Sequence, residues 1–113
     1  MELIELNSRP TSVTYTVNNL KGECPISPEN DCYNITIKVW PNAQYGLEIE
    51  SLKSSLQELL TEPIFAEDIP RAIMESIAPL KIFERVDILV KQLRSDQTTI
   101  TVRDSVTFLG CFF

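Results

Sequence analysis

The sequence predicts an α+β fold in which an antiparallel sheet carries two helices on one face, in the chain order ββααββ. Three observations predict it. Apolar and polar residues alternate over residues 12–18 and again over 34–39, apolar residues then fall at helical spacing between residues 49 and 80, and alternation returns from residue 85 to 108.

Val13, Tyr15 and Val17 lie on one side of the first segment and Ser12, Thr14 and Thr16 on the other, the pattern of a half-buried strand. The stretch from Lys21 to Asp31 holds a glycine and two prolines and reads as a loop. Beyond it Ile35, Ile37 and Val39 alternate with Asn34, Thr36 and Lys38, so strand, loop and strand form a hairpin. Residues Pro41 to Gly46 punctuate the chain, and Ile49, Leu52, Leu56, Leu59 and Leu60 then share one helical face that ends before Pro63. A second helix is expected from about Glu67 and Asp68, where a carboxylate can cap free amides and Pro70 fits the first turn. Its buried stripe is Ile69, Ile73, Ile77 and Leu80.

The closing hairpin turns near Ser95-Asp96-Gln97. Val86, Ile88 and Val90 alternate with Arg85, Asp87 and Lys91, and Ile100, Val102, Val106 and Phe108 alternate with Thr99, Thr101, Arg103, Ser105 and Thr107. Asp104 stands in phase with the apolar set, as a bulge, a paired carboxylate or a subunit contact, with a site role as the alternative. Trp40 is expected to pack at a strand end rather than stack on a base, Cys32 and Cys111 to pack as small apolar residues, and the aromatics of residues 110–113 to bury against the helices or a neighbour. The uncovered sheet face and the sheet edges need a partner, which points to a homo-oligomer.

At 113 residues, 43% apolar and 23% charged, the chain suffices for one core and is too short for two, so a single domain over residues 1–113 is expected. The apolar runs are short and the first twenty residues lack a basic start followed by an apolar core. A soluble, cytoplasmic protein with no membrane partner follows as the expectation. Histidine is absent, which excludes Ser/His and Cys/His catalysis within one chain and removes the commonest metal ligand. Cys24, Cys32 and Cys111 are odd in number and form no CxxC pair, so neither a zinc site nor a complete disulfide framework fits. The ten Lys and Arg are scattered among sixteen Asp and Glu, which disfavours strong nonspecific binding of nucleic acid.

A chain without histidine can still pair a nucleophile with a proton donor. Cys24 lies in the Pro-rich loop, with Lys21 favouring and Glu23 opposing its thiolate, and Asp31 follows seven residues later at the loop's return. A hairpin brings that carboxylate back toward the sulfur. Structural roles for both residues, and a Cys24 to Cys32 disulfide, are the alternatives.

Cys24-Pro25, Asp31, the triplet Ser51-Leu52-Lys53 and the pair Glu67-Asp68 together resemble the 7-cyano-7-deazaguanine nitrile reductases of queuosine synthesis, the QueF family, over about Leu20 to Asp68. The resemblance implies the tunnelling fold, with subunits pairing their sheets into rings and active sites lying between neighbours. It implies Cys24 as the nucleophile that forms a covalent thioimide with the nitrile carbon, and Asp31 as the proton donor. Glu48 precedes Glu67 by the family's nineteen residues, so Leu47, Glu48, Ile49 and Glu67 match its substrate-binding positions, with Glu50 a rival to Glu48. A carboxylate can accept two hydrogen bonds from a guanine-like edge. A solvated helix start is the structural alternative for these carboxylates.

The chain departs from the reductases in two places. Ala66 stands where the family has histidine, and residues 54–61 lack the basic, aromatic-rich character of the family's cofactor segment, so nothing there matches the 2′-phosphate of NADPH. A short chain of this kind resembles the archaeal QueF-like branch. That branch implies an amidinotransferase converting 7-cyano-7-deazaguanine at tRNA position 15 to archaeosine, with ammonia and without a cofactor, in a homo-oligomer of pentameric rings stacked into a decamer. The alternatives are an NADPH-dependent reductase of the free base and a non-catalytic, ring-forming protein that binds a purine or pterin. A tRNA substrate requires the few cations to gather on one face, with Lys21, Lys38, Arg71 and Arg103 as candidates.

Overall fold

The computed structural model describes residues 1–23, 25, 26 and 30–108. Its main sheet has four antiparallel strands, β2 (Val13–Glu23), β3 (Asn30–Pro41), β5 (Phe83–Leu93) and β6 (Thr99–Thr107), in the order β2-β3-β5-β6. Two short strands, β1 (Leu3–Glu5) and β4 (Tyr45–Leu47), pair separately, and helices α1 (Ile49–Leu59) and α2 (Ile69–Ile77) lie between β4 and β5. The predicted ββααββ order is therefore observed, with β1 and β4 added. Neither addition shows a long alternation in the sequence, because each is three residues long.

The core lies between one face of the sheet and the two helices. Tyr33, Ile35, Ile37 and Val39 of β3 and Val86, Ile88 and Val90 of β5 are buried there against Leu52 and Leu56 of α1 and Ile69, Ile73 and Ile77 of α2. Leu60 completes the α1 stripe, while Ile49 stays exposed and Leu59 half-buried. The opposite face is polar, with Thr14, Thr36, Lys38, Arg85, Asp87, Lys91, Arg103 and Ser105 projecting from alternate positions. Trp40, Leu89 and the 38% exposed Leu93 share that face, so both it and the edges β2 and β6 remain available to a partner.

The first hairpin is longer than the alternation suggests. Strand β2 runs on to Glu23 because a bulge at Asn18 and Asn19 places both residues opposite Asn34 alone, and the Asn19 amide donates to Asn34 Oδ1 at 3.0 Å. Asn19 takes the left-handed conformation, φ 61°. Val17 and Leu20 thus both point inward, and pairing continues to Gly22 with Asp31 and Glu23 with Asn30. The loop from Lys21 to Asp31 is replaced, at both ends, by paired strand.

Two further expectations change. The second helix opens with a 3₁₀ turn at Ala66–Asp68, and the Asp68 carboxylate accepts no capping bond, since the helical backbone continues through it into α2. Asp104 sits in unbroken register opposite Ile88, so no bulge accounts for it; its Oδ1 accepts from the Ser105 amide at 2.9 Å. The turn near residues 95–97 is as expected. Cys111 and the aromatic tail lie outside the described residues.

Gly22 faces the core, where an added Cβ would stand 2.9 Å from the ring of the fully buried Tyr33 and 3.4 Å from Leu60. The ring cannot retreat cheaply from a close-packed interior, so Gly22→Ala should lower stability by about 1–3 kcal/mol. Urea unfolding followed by circular dichroism measures this, and an unchanged midpoint would contradict the packing argument.

Candidate functional site

The end of the first hairpin carries the candidate chemistry. Asp31 is only 3% exposed, on the helix-facing side of β3, and its Oδ2 accepts from Gln92 Nε2 at 2.6 Å. Gln92, 1% exposed, continues the inward row of Val86, Ile88 and Val90, so a buried carboxylate meets a buried neutral donor across two strands. Sequence reasoning missed Gln92, although its phase with that apolar row was the signal available. Cys24 follows directly on Glu23, the last paired residue of β2, and itself lies outside the described residues. Cys32 is on the polar face, where its Sγ accepts from Lys21 Nζ at 2.9 Å, so its role is not purely apolar; the disulfide alternative falls on Cys24, outside the described residues.

Helix α1 links this end of the molecule to the other. Its C-terminal side reaches the hairpin end, where Leu60 approaches Gly22, Gln57 Nε2 donates to the Lys21 carbonyl at 3.2 Å and the Ile64 amide donates to the Glu23 carbonyl at 3.2 Å. Glu67 follows three residues later, exposed in the first turn of the 3₁₀ segment. The N-terminal side of α1 begins beside the start of β2, where the Leu47 amide donates to the Tyr15 hydroxyl at 2.9 Å. Eleven helical residues separate the two ends by about 16 Å. One chain therefore brings Asp31 and the segment leading to Glu67 to the same end, and leaves Leu47, Glu48 and Ile49 at the other.

Glu48 is the N-cap of α1. Its two carboxylate oxygens accept from the Glu50 amide at 3.0 Å and the Ser51 amide at 2.6 Å, and these bonds hold its carboxyl below the usual value. The amino-terminal strand fixes the same turn, with the Glu48 amide donating to the Glu2 carbonyl and the Glu2 amide to Ser51 Oγ. Glu50, the rival, is exposed and stands 3.8 Å from Lys53. A carboxylate has about four lone-pair positions, so the capping bonds leave Glu48 two with which to accept from a ligand.

On the polar face a cavity of about 420 Å³ is lined by residues that include Thr36, Lys38, Asp87 and Arg103. It is on the opposite side of the sheet from Asp31. Trp40 lies at one end of that face with Lys38 Nζ 5.0 Å and Arg85 Cζ 4.9 Å from its ring centre, so cations rather than a base occupy it. Burial pushes the Asp87 carboxyl up, but bonds from Ser105 and Arg85 and the nearby Lys38 charge more than offset this and hold it below its usual value. Among the described residues no cluster of three metal-ligating side chains occurs and no helix is long and apolar enough to cross a membrane.

No protein-family model and no curated protein sequence matches the chain. Among solved structures, the crystal structure of the archaeosine synthase QueF-Like in the apo form superposes with a TM-score of 0.74, covering 85% of this chain and 93% of that one at 20% identity. The two proteins share their fold, an antiparallel sheet with two helices consistent with the tunnelling fold.

The cap has a pH signature. The folded-state value for Glu48 lies below the ordinary 4.5, so its ionised form stabilises the fold above that pH, and the contribution fades as pH falls through the folded value. The stability gap between wild type and Glu48→Ala should be largest near neutrality and narrow below pH 4.5, as measured by urea midpoints across pH; a gap independent of pH would remove the charged cap. Gln92→Leu leaves Asp31 without its donor and should cost about 1–3 kcal/mol in the same assay.

Proposed function

We propose that the chain is a tRNA-modifying amidinotransferase that converts the nitrile of 7-cyano-7-deazaguanine in tRNA to a formamidine. The observation that carries this reading is the buried Asp31 carboxylate at the hairpin end, one ladder position beyond the pair that Cys24 directly follows, in a fold shared with an archaeosine synthase.

In this reading the Cys24 thiolate adds to the nitrile carbon while Asp31 gives a proton to the nitrile nitrogen, so one π bond breaks, a C–S bond forms and a thioimide results. Ammonia then attacks the imidoyl carbon, Asp31 recovers a proton from the incoming nitrogen, and the C–S bond breaks to release the thiolate. Nitrile and ammonia together equal the amidine, so the reaction needs neither hydride nor ATP. The exposed side of α1 fits this, since its single cation, Lys53, is engaged with Glu50 and offers little to a 2′-phosphate.

Base recognition falls to Leu47, Glu48, Ile49 and Glu67. The cap holds the Glu48 carboxylate in one orientation, ready to accept from the ring N–H and exocyclic amine of the base. Because α1 keeps Glu48 about 16 Å from the hairpin end, a base held by Glu48 and attacked by Cys24 requires two chains. The exposed ladder edges of β2 and β6 suit such assembly, as in stacked pentameric rings. A nucleobase inside tRNA must leave its stack to reach the thiol.

Incubation with 7-cyano-7-deazaguanine followed by intact-protein mass spectrometry should reveal an adduct of the whole base, absent in Cys24→Ala and discharged as the amidine by ammonium. Asp31→Asn, which keeps the hydrogen bond to Gln92 within reach, should form the adduct about 10²–10⁴-fold more slowly. Absence of any adduct on a protein with free Cys24 thiol would shift the reading to a non-catalytic protein that binds a purine-like ligand.

A further inference from the structure

One polar pair interrupts the inward rows of the sheet. Along β3 and β5 those rows set Val39, Ile37, Ile35 and Tyr33 opposite Val86, Ile88, Val90 and Gln92, and the row of β3 ends on Asp31. Among the described residues, Asp31 and Gln92 are the buried polar or charged side chains. Both stand where packing alone is met by apolar residues.

The register sets the length of side chain that their contact needs. Gln92 is paired with Tyr33, and Asp31 lies two residues farther along β3. Diagonal neighbours of this kind stand about 7–8 Å apart, a span that only a long side chain crosses. Gln92 crosses it to bring Nε2 within 2.6 Å of Asp31 Oδ2, and asparagine, one methylene shorter, would leave the gap open. The Asp31 main chain is fixed from the other side, where it pairs with Gly22 in a strand end that Gln57 and Ile64 hold through the Lys21 and Glu23 carbonyls. Stability does not explain the pair. Replacing both members of a buried hydrogen bond by apolar groups of the same shape is close to neutral, whereas removing one leaves the other unsatisfied. The glutamine is needed where the carboxylate is needed.

We propose that Gln92 is a positioning residue for the reaction, acting on the nitrile only through Asp31, whose carboxyl it holds at the hairpin end. The inference rests on the proposed amidinotransferase reading and adds to it a residue of β5, sixty-one positions from the acid it orients. The acid must meet the nitrile nitrogen while the thiolate meets the carbon, and a misplacement of about 1 Å can cost on the order of 10²-fold in rate. Recognition of the base is given to Leu47, Glu48, Ile49 and Glu67, so loss of Gln92 falls on the rate and spares the affinity.

The test follows adduct formation with 7-cyano-7-deazaguanine by intact-protein mass spectrometry, read as a rate at saturating base and a half-saturating concentration. Gln92→Met keeps the length and loses the donor, and Gln92→Asn keeps the amide and loses the reach. Each should lower the saturated rate about 10–10²-fold. The half-saturating concentration, and the rate at which iodoacetamide alkylates Cys24, should stay at wild-type values. In an Asp31→Asn background, Gln92→Met should change the rate by less than about twofold, because a residue acting through Asp31 has nothing further to lose there. A role confined to packing would instead lower the rate equally in both backgrounds. Circular dichroism and size-exclusion mass select the variants that fold and assemble, and the two substitutions differ in shape so that either one carries the result. A wild-type rate in a folded variant, an equal loss in the Asp31→Asn background, or a parallel loss of Cys24 alkylation would each overturn the inference. The wild-type arm separates it from the reading beneath it: an adduct that forms without need of Gln92 removes the inference alone, and no adduct on wild type removes both.

Discussion

The phase of β2 against β3 is the constraint on which the hairpin end depends. Up to Val17 the odd-numbered residues of β2 point inward, and without a correction Leu20 and Gly22 would turn to the polar face and Lys21 into the core. The bulge at Asn18 and Asn19 supplies the extra residue, and the Asn34 side chain receives the amide that the bulge displaces. With the phase restored, Gly22 lies under Leu60 and beside the Tyr33 ring, opposite Asp31, which the alternation of β3 itself turns inward to Gln92. A residue larger than glycine has no room there. The same correction sends Lys21 outward to Cys32, so one asparagine pair determines what the end of β2 presents on either face.

Helix α1 converts this local geometry into a division of labour. Its leucine stripe fixes it across the sheet, with the Glu48 cap near Tyr15 at one end and Leu60 over Gly22 at the other. Eleven residues of helix are rigid on the scale of a nucleobase, so neither side-chain rotation nor loop movement unites the two ends within a chain. The same rigidity makes an intersubunit site natural: each chain presents a carboxylate held by two amides at one end and a buried carboxylate at the other.

Much of this was legible in the sequence, for identifiable reasons. Alternation on β3, β5 and β6 and the helical spacing of Leu52, Leu56, Ile69, Ile73 and Ile77 reflect one-sided burial, which is the strongest signal a sequence carries. The bulge was hidden because it breaks the alternation that reveals strands: past Val17 the pattern looks like a loop. The short strands β1 and β4 were hidden by length, and the Asp68 cap was overridden by a 3₁₀ turn that the preceding residues impose. At the candidate site the spacing of Asp31, Glu48 and Glu67 was readable, while the contact with Gln92, sixty-one residues away, arises only when β3 and β5 pair.

The pairing of Asp31 with Gln92 bears on how a chain without histidine manages protons. A buried arginine in place of Gln92 would hold the carboxylate charged by its field as well as by its bond. The Gln92 amide donates one hydrogen bond to Asp31 and brings no net charge, so it fixes the position of the carboxyl group through that bond alone. Tyr33 and Leu60 are buried at the same hairpin end, and a dry surrounding strengthens that bond. Under the proposed reaction the Asp31 carboxyl gives a proton to the nitrile nitrogen and later takes one from ammonia. The alternation that builds the sheet also places this pair, because Asp31 and Gln92 occupy inward positions that the rest of the same two rows fill with apolar side chains and one tyrosine.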